Sequence, residues 1–170
     1  MSIPDPVDWP RIRNLSVLEP ENFKYRNTQF LQDDAQPYDA GQGRPDDALR
    51  RQIWNVRNGD IRRVLTDFPT DEPLREQCAS WMHAVVGKHF FPDANHRTAV
   101  ALLRKLLDVN DIEYRPWSLG RMQTARVKSH PVRREIEPVR LDTLYRRDEL
   151  YEVWFEFFKD ELEVIAPEDG

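Results

Sequence analysis

Within nine positions, His89-Phe90-Phe91-Pro92-Asp93-Ala94-Asn95-His96-Arg97 brings together an imidazole, a carboxylate, an amide and a guanidinium. An imidazole titrates near neutrality and can take a proton from a hydroxyl. A single carboxylate suits Mg2+, which fills its other positions with phosphate oxygens and water. A guanidinium grips phosphate through paired charge-assisted hydrogen bonds. The set is one that moves a phosphate-bearing group onto a hydroxyl.

Two helices must hold it. Upstream, Leu74, Cys78, Trp81, Met82, Val85 and Val86 recur at three- and four-residue steps, and one further turn of that stripe reaches His89. Pro92 excludes continued helix and biases Phe91 away from the helical region, so the chain turns there. Downstream, Ala99, Leu102, Leu103, Leu106 and Leu107 resume the helical period, with Asn95 placed to cap the new helix. His96 and Arg97 then stand in its first turn, where the helix dipole disfavours a cation by roughly 0.3–1 kcal/mol. A bound anion reverses that sign, because free N–H groups, dipole and guanidinium converge on it.

The string HFFPDANHRTA resembles the signature of the Fic/Doc (Fido) family, His-x-Phe-x-(Asp/Glu)-(Gly/Ala)-Asn-x-Arg, over the motif and its flanking helices, residues 41 to 109. The resemblance implies a Fido-type helical bundle with the motif loop between two central helices. It makes His89 the catalytic base, Phe91 the buried anchor of the loop and Asp93 the Mg2+ ligand. Ala94, Asn95 and His96 fall in the stretch that binds the phosphates, and Arg97 is the clamp. ATP, or another nucleotide, and Mg2+ are the implied cofactors. Asp-Ala-Asn followed by Arg-Thr-Ala is closer to the Doc branch, which transfers the terminal phosphate. AMP-transferring Fic members usually carry a second Arg where this chain has Val100. His96 stands where Doc-like chains usually have Lys and AMP-transferring ones Gly, so nucleotide binding is expected to vary with its titration. The family's self-inhibitory pattern, Ser or Thr followed four positions on by Glu, is not found, so inhibition is expected from a separate antitoxin.

A chain of 170 residues bounds these expectations. It is long enough for one domain with a real core. We expect an extended arm over residues 1–40, with at most a small β-hairpin serving as flap, and a single mainly α domain over 41–170. Cys78, the only cysteine, lies on the apolar stripe and reads as a small buried hydrophobe in a reducing compartment. No apolar stretch is long enough to span a bilayer, and the start MSIPDPVDWP has no basic, hydrophobic leader, so a cytoplasmic protein without membrane contact is expected.

The formal net charge of −5 hides an asymmetry. Residues 148 to 170 are acidic, whereas residues 115 to 147 hold Arg115, Arg121, Arg126, Lys128, Arg133, Arg134, Arg140, Arg146 and Arg147 against three carboxylates. The plain reading is two oppositely charged helical surfaces lying side by side. The other is a docking face for an acidic partner or, less readily, RNA.

Along the rest of the chain, Gly41, Gly43 and Pro45-Asp46-Asp47 open a helix with Leu49, Ile53, Trp54 and Val56 inward. Gly59-Asp60 interrupts it before Ile61, Val64, Leu65 and Phe68. Ser118 caps a helix ended by His130-Pro131. A long last helix runs from Leu144 to Ile165 with an aromatic stripe, Trp154, Phe157 and Phe158, as core. His83 reads as structural and His130 as a loop residue.

Taken singly, each site residue has a plainer role: His89 a helix cap, Asp93 a turn residue, Asn95 an N-cap, Arg97 a surface cation. Together they fit one ligand. The function expected first is a nucleotide-dependent transferase acting on a hydroxyl of a target protein, by resemblance a growth-arresting toxin directed at the translation machinery. AMP transfer is the close alternative. A metal-dependent hydrolase using His89, Asp93 and His96, and a non-catalytic binding module using the basic block, complete the set.

Overall fold

The computed structural model describes residues 10–32 and 46–165, and the fold is mainly α. Seven helices are found among these residues: α1 (Pro20–Gln29), α2 (Asp46–Trp54), α3 (Asn58–Thr66), α4 (Leu74–Lys88), α5 (Asn95–Val109), α6 (Leu119–Glu135) and α7 (Glu149–Glu161). None is long and apolar enough to cross a membrane. The expected hairpin is absent from the described residues, where strand pairing is limited to one isolated bridge between Tyr114 and Val164.

Helix α4 is the centre. Its apolar stripe is buried as expected, but so are Gln77, Ala79, Ser80, His83, Ala84 and Gly87, because α5 and α7 both pack against it and the N-terminal segment covers a further face. Gln77 fastens that segment: its Oε1 accepts from Ile12 N at 2.8 Å, and its Nε2 donates to Ile12 O at 2.9 Å and Pro69 O at 3.0 Å. Gly87 is where Val139 comes close, since a Cβ there would stand 2.7 Å from Val139 Cγ2. Cys78 is fully buried with its thiol pKa pushed well up by desolvation, as befits a hydrophobe.

Several boundaries differ from those expected. The arm over residues 1–40 is helical in its middle, where α1 opens on Pro20 and Glu19 N donates to Asn22 Oδ1 at 2.6 Å. No apolar period betrayed it, because its buried face is mostly polar: Lys24, Asn27 and Thr28 beside Pro20 and Phe23. Gly41, Gly43 and Pro45 lie outside the described residues. Trp54 faces outward with Lys24 Nζ 5.8 Å from its ring, and Gly59-Asp60 falls inside the first turn of α3 instead of breaking a helix.

The final helix is shorter at both ends, and Ile165 is exposed. It starts at Asp148, whose Oδ1 accepts from Tyr151 N at 3.0 Å while Oδ2 accepts from His83 Nε2 at 3.0 Å and Arg146 Nε at 2.6 Å. One carboxylate thus caps α7 and ties it to α4, which sets the boundary. The aromatic stripe of α7 is core, with Trp154 and Phe158 fully buried. Helix α6 does not stop at His130-Pro131 but runs through them to Glu135. The proline withdraws one N–H from the exposed side, where Val127 is open to solvent and water can serve its carbonyl.

Part of the charge asymmetry resolves into pairs within the fold. Arg121 meets Glu161 at 3.2 Å, Arg115 meets Glu163 at 3.3 Å, and Arg147 meets Glu72 and Glu76 at 3.2 and 3.1 Å.

Candidate active site

Helix α4 ends one residue before His89, which takes φ 53°, ψ 58° and donates its N–H to Val85 O. This left-handed residue throws the chain into the loop. Ala94 at φ 60°, ψ 25° throws it back out, and α5 begins at Asn95. Two non-glycine residues in the left-handed region bracket the loop, a strain of about 1–2 kcal/mol each of the kind that collects at functional sites. Ala94, not Asn95, is therefore the N-cap, and it has no side chain to cap with.

Asn95 turns back instead. Its Oδ1 accepts from Phe91 N at 3.1 Å and its Nδ2 donates to Phe91 O at 2.9 Å. Those two backbone bonds fix which end of the amide is which. The same Nδ2 lies 3.2 Å from His89 Nδ1, so Nδ1 must accept. Neutral His89 consequently carries its proton on Nε2. Phe91 is buried beneath, as the anchor role requires. On the far side, Asn27 of α1 donates to Asp93 O at 2.8 Å and to Thr98 Oγ1 at 3.0 Å, holding loop and helix together.

The first N–H groups of α5, those of Asn95, His96 and Arg97, precede its first internal bond, Thr98 N to Ala94 O. Preceded by left-handed Ala94 they form an anion-receiving concavity. Arg97 and Arg26 both place their guanidinium carbon 4.8 Å from the centre of the Phe30 ring, which steers them along one wall. Asp93 Oδ1 accepts from Ala94 N at 2.7 Å, and a single carboxylate is the kind of protein donor that Mg2+ commonly takes alongside phosphate.

Two connected clefts open here, sharing Asp93, His96, Arg97 and Arg126. The wider, about 720 Å3, runs between α5 and α6 past Val100, Arg104, Leu119 and Met122. The narrower, about 40 Å3, lies against His89, Ala94, Asn95, His130 and Arg133.

His96 behaves differently from the sequence expectation. Its Nε2 is 2.8 Å from Ser129 Oγ, and that hydroxyl already donates to Arg126 O at 2.7 Å, so His96 is the donor. Its ring lies 5.0 Å from that of His130 and 5.6 Å from that of Trp154. Burial first, then His130, Arg126, His89 and Arg133, bring its pKa down to about 3. It is neutral across the physiological range, so it does not make ligand binding pH-dependent there. What it offers a phosphate is its backbone N–H. The ring secures α5 to α6 and α7.

Among the described residues no group of three His, Cys, Asp or Glu side chains could hold a metal ion, so the metal-hydrolase arrangement of His89, Asp93 and His96 is not assembled. His130, Arg126 and Arg133 join the site although the sequence reading assigned them no part in it. The signal was present: Leu119, Met122, Gln123, Arg126, His130 and Arg133 recur at three- and four-residue steps, one face of α6 once Pro131 is read as tolerated.

No protein family, curated protein or solved structure matches this chain. The site is accordingly argued from its own geometry.

The tautomer assignment is open to a direct check. Nitrogen-15 NMR of imidazole-labelled protein, above the His89 pKa, is expected to show Nδ1 as the bare nitrogen. Asn95→Ala removes the bond to Nδ1, of about 0.5–1.5 kcal/mol, together with the two that hold Phe91, and reduces the preference for this tautomer. A wild-type spectrum with bare Nε2 contradicts the assignment.

Proposed function

We propose that this chain is a nucleotide-dependent transferase of the Fic/Doc kind that moves the terminal phosphoryl group of ATP onto a hydroxyl of a target protein. The observation that carries this reading is the loop itself. Between two left-handed residues it presents an imidazole, a carboxylate, the N–H groups of α5 and a guanidinium to one small volume. That convergence supports a single phosphate ligand better than four separate structural roles.

In this reading the phosphate tail rests on the start of α5, clamped by Arg97, with the nucleoside along the wide cleft. Mg2+ held at Asp93 neutralises charge on the phosphates. The acceptor oxygen attacks the terminal phosphorus, the bond to the bridging oxygen breaks, ADP leaves and the acceptor's proton passes to His89. Because neutral His89 rests with its proton on Nε2, turnover starts from the minor tautomer, favoured against by a factor of a few to about ten. AMP transfer is the competing reading; against it, Val100 puts no cation on the wall of the wide cleft at the position in question. A growth-arresting toxin with a separate antitoxin, directed at the translation machinery, is the biological setting that the resemblance suggests.

ATP labelled separately at the alpha and gamma phosphates, incubated with the protein and a cell extract, tests the reaction. Label is expected in protein from the gamma position alone. Label from alpha identifies AMP transfer, and label from neither overturns the transferase reading.

A further inference from the structure

Apart from Arg140, which lies beyond α6, the arginines of the basic block divide into two groups. Arg115, Arg121, Arg146 and Arg147 are paired with carboxylates. Arg126, Arg133 and Arg134, on the middle and end of α6, make no ion pair among the described residues. The unpaired group adjoins the narrow cleft. Arg126, His130 and Arg133 line it directly, and Arg134 is near enough to depress the His130 pKa. Among the described residues, the carboxylate that acts on both the His89 and the His130 imidazole is Asp93.

We propose that this edge of α6 docks an acidic segment of the target protein, delivering a side-chain hydroxyl to His89. The inference rests on the transferase reading and names the kind of segment that carries its acceptor. Two observations select the occupant. From Arg126 to Arg133 the helix rises about 10 Å, which spans about three residues of extended peptide. An acceptor residue with carboxylates on either side matches that length and charge. Nucleic acid fits less well, since α6 contains no Phe, Tyr or Trp on which bases could stack.

The test uses the full chain and fluorescence anisotropy with three probes: a short peptide with one Ser flanked by Asp and Glu, the same peptide with Lys at the flanks, and a single-stranded RNA of equal length. The acidic peptide is expected to bind best, and more weakly as salt rises. Arg133→Glu is expected to weaken it at least about tenfold. Lys128→Glu, on the opposite side of α6 and away from the cleft, changes it less than about twofold. Preference for RNA, indifference to peptide charge, or equal loss in the two variants overturns the proposal. Mg-ATP binding to the same preparation separates the two readings. ATP bound with no peptide bound sinks the docking face alone, whereas peptide bound with no ATP bound leaves the docking face and sinks the transferase.

Discussion

Replacing His89 by Ala is expected to lower the proposed transfer from ATP to a protein hydroxyl by about 10^2–10^4-fold, the range for removing a positioned general base. The variant keeps its fold, because Ala94 already shows that an alanine is accommodated in the left-handed region a few residues on. ATP binding persists, since the clamp and the α5 N–H groups are untouched. With the wild type, the acid limb of the rate profile is expected below the ordinary imidazole value of 6.5. Burial lowers the His89 pKa first, Arg133 and His130 add to it, and Asp93 opposes. The base therefore stays unprotonated, and the rate sustained, into mildly acidic solution. A variant that transfers label at the wild-type rate, or a limb displaced above 6.5, would show that His89 is not the base.

The second large effect is on stability. His96 has a folded pKa of about 3 against 6.5 for a free imidazole. Above 6.5 both folded and unfolded chains hold it neutral, and its contribution is complete. As the pH falls below that value, the unfolded chain takes up a proton that the folded chain refuses, and stability is lost by about 1.4 kcal/mol per pH unit down to the folded pKa. Between 6.5 and about pH 5 the loss amounts to roughly 2 kcal/mol, a large fraction of a typical domain's stability. Urea denaturation across this range is expected to show the midpoint falling. His96→Gln, which retains a donor for Ser129 without a titrating ring, should flatten the fall. A midpoint equal at both ends of the range for the wild type would mean that the ring is solvated and free to charge.

How much of this could be read from the sequence depends on which forces fixed each element. The helices α4 and α5 were legible because their positions are decided by apolar burial, and Leu74, Cys78, Trp81, Leu103 and Leu106 repeat at helical steps. The loop between them was legible because Pro92 forbids helix and the site residues are contiguous. Helix α1 was not, since polar Lys24, Asn27 and Thr28 share its buried face. The end of α6 was misjudged because a proline rule acts on the backbone alone, whereas Val132, beyond the proline, still packs against the core. His96 was misjudged for a different reason. Its titration is set by burial and by His130, Arg126 and Arg133, which only the fold brings to it from far along the chain, together with nearby His89. Asn95 was recognised as a member of the site, but its job of orienting His89 depends on which way the amide points. Only the two bonds to Phe91 reveal that.

The clasp of Asn27 on Asp93 and Thr98 joins residues 66 and 71 positions apart. A loop whose geometry depends on such distant partners cannot acquire it when α1 first leaves the ribosome, because its counterpart does not yet exist. The arrangement of residues 89–97 is thereby deferred until synthesis has passed Thr98 and the upstream helix has found its place.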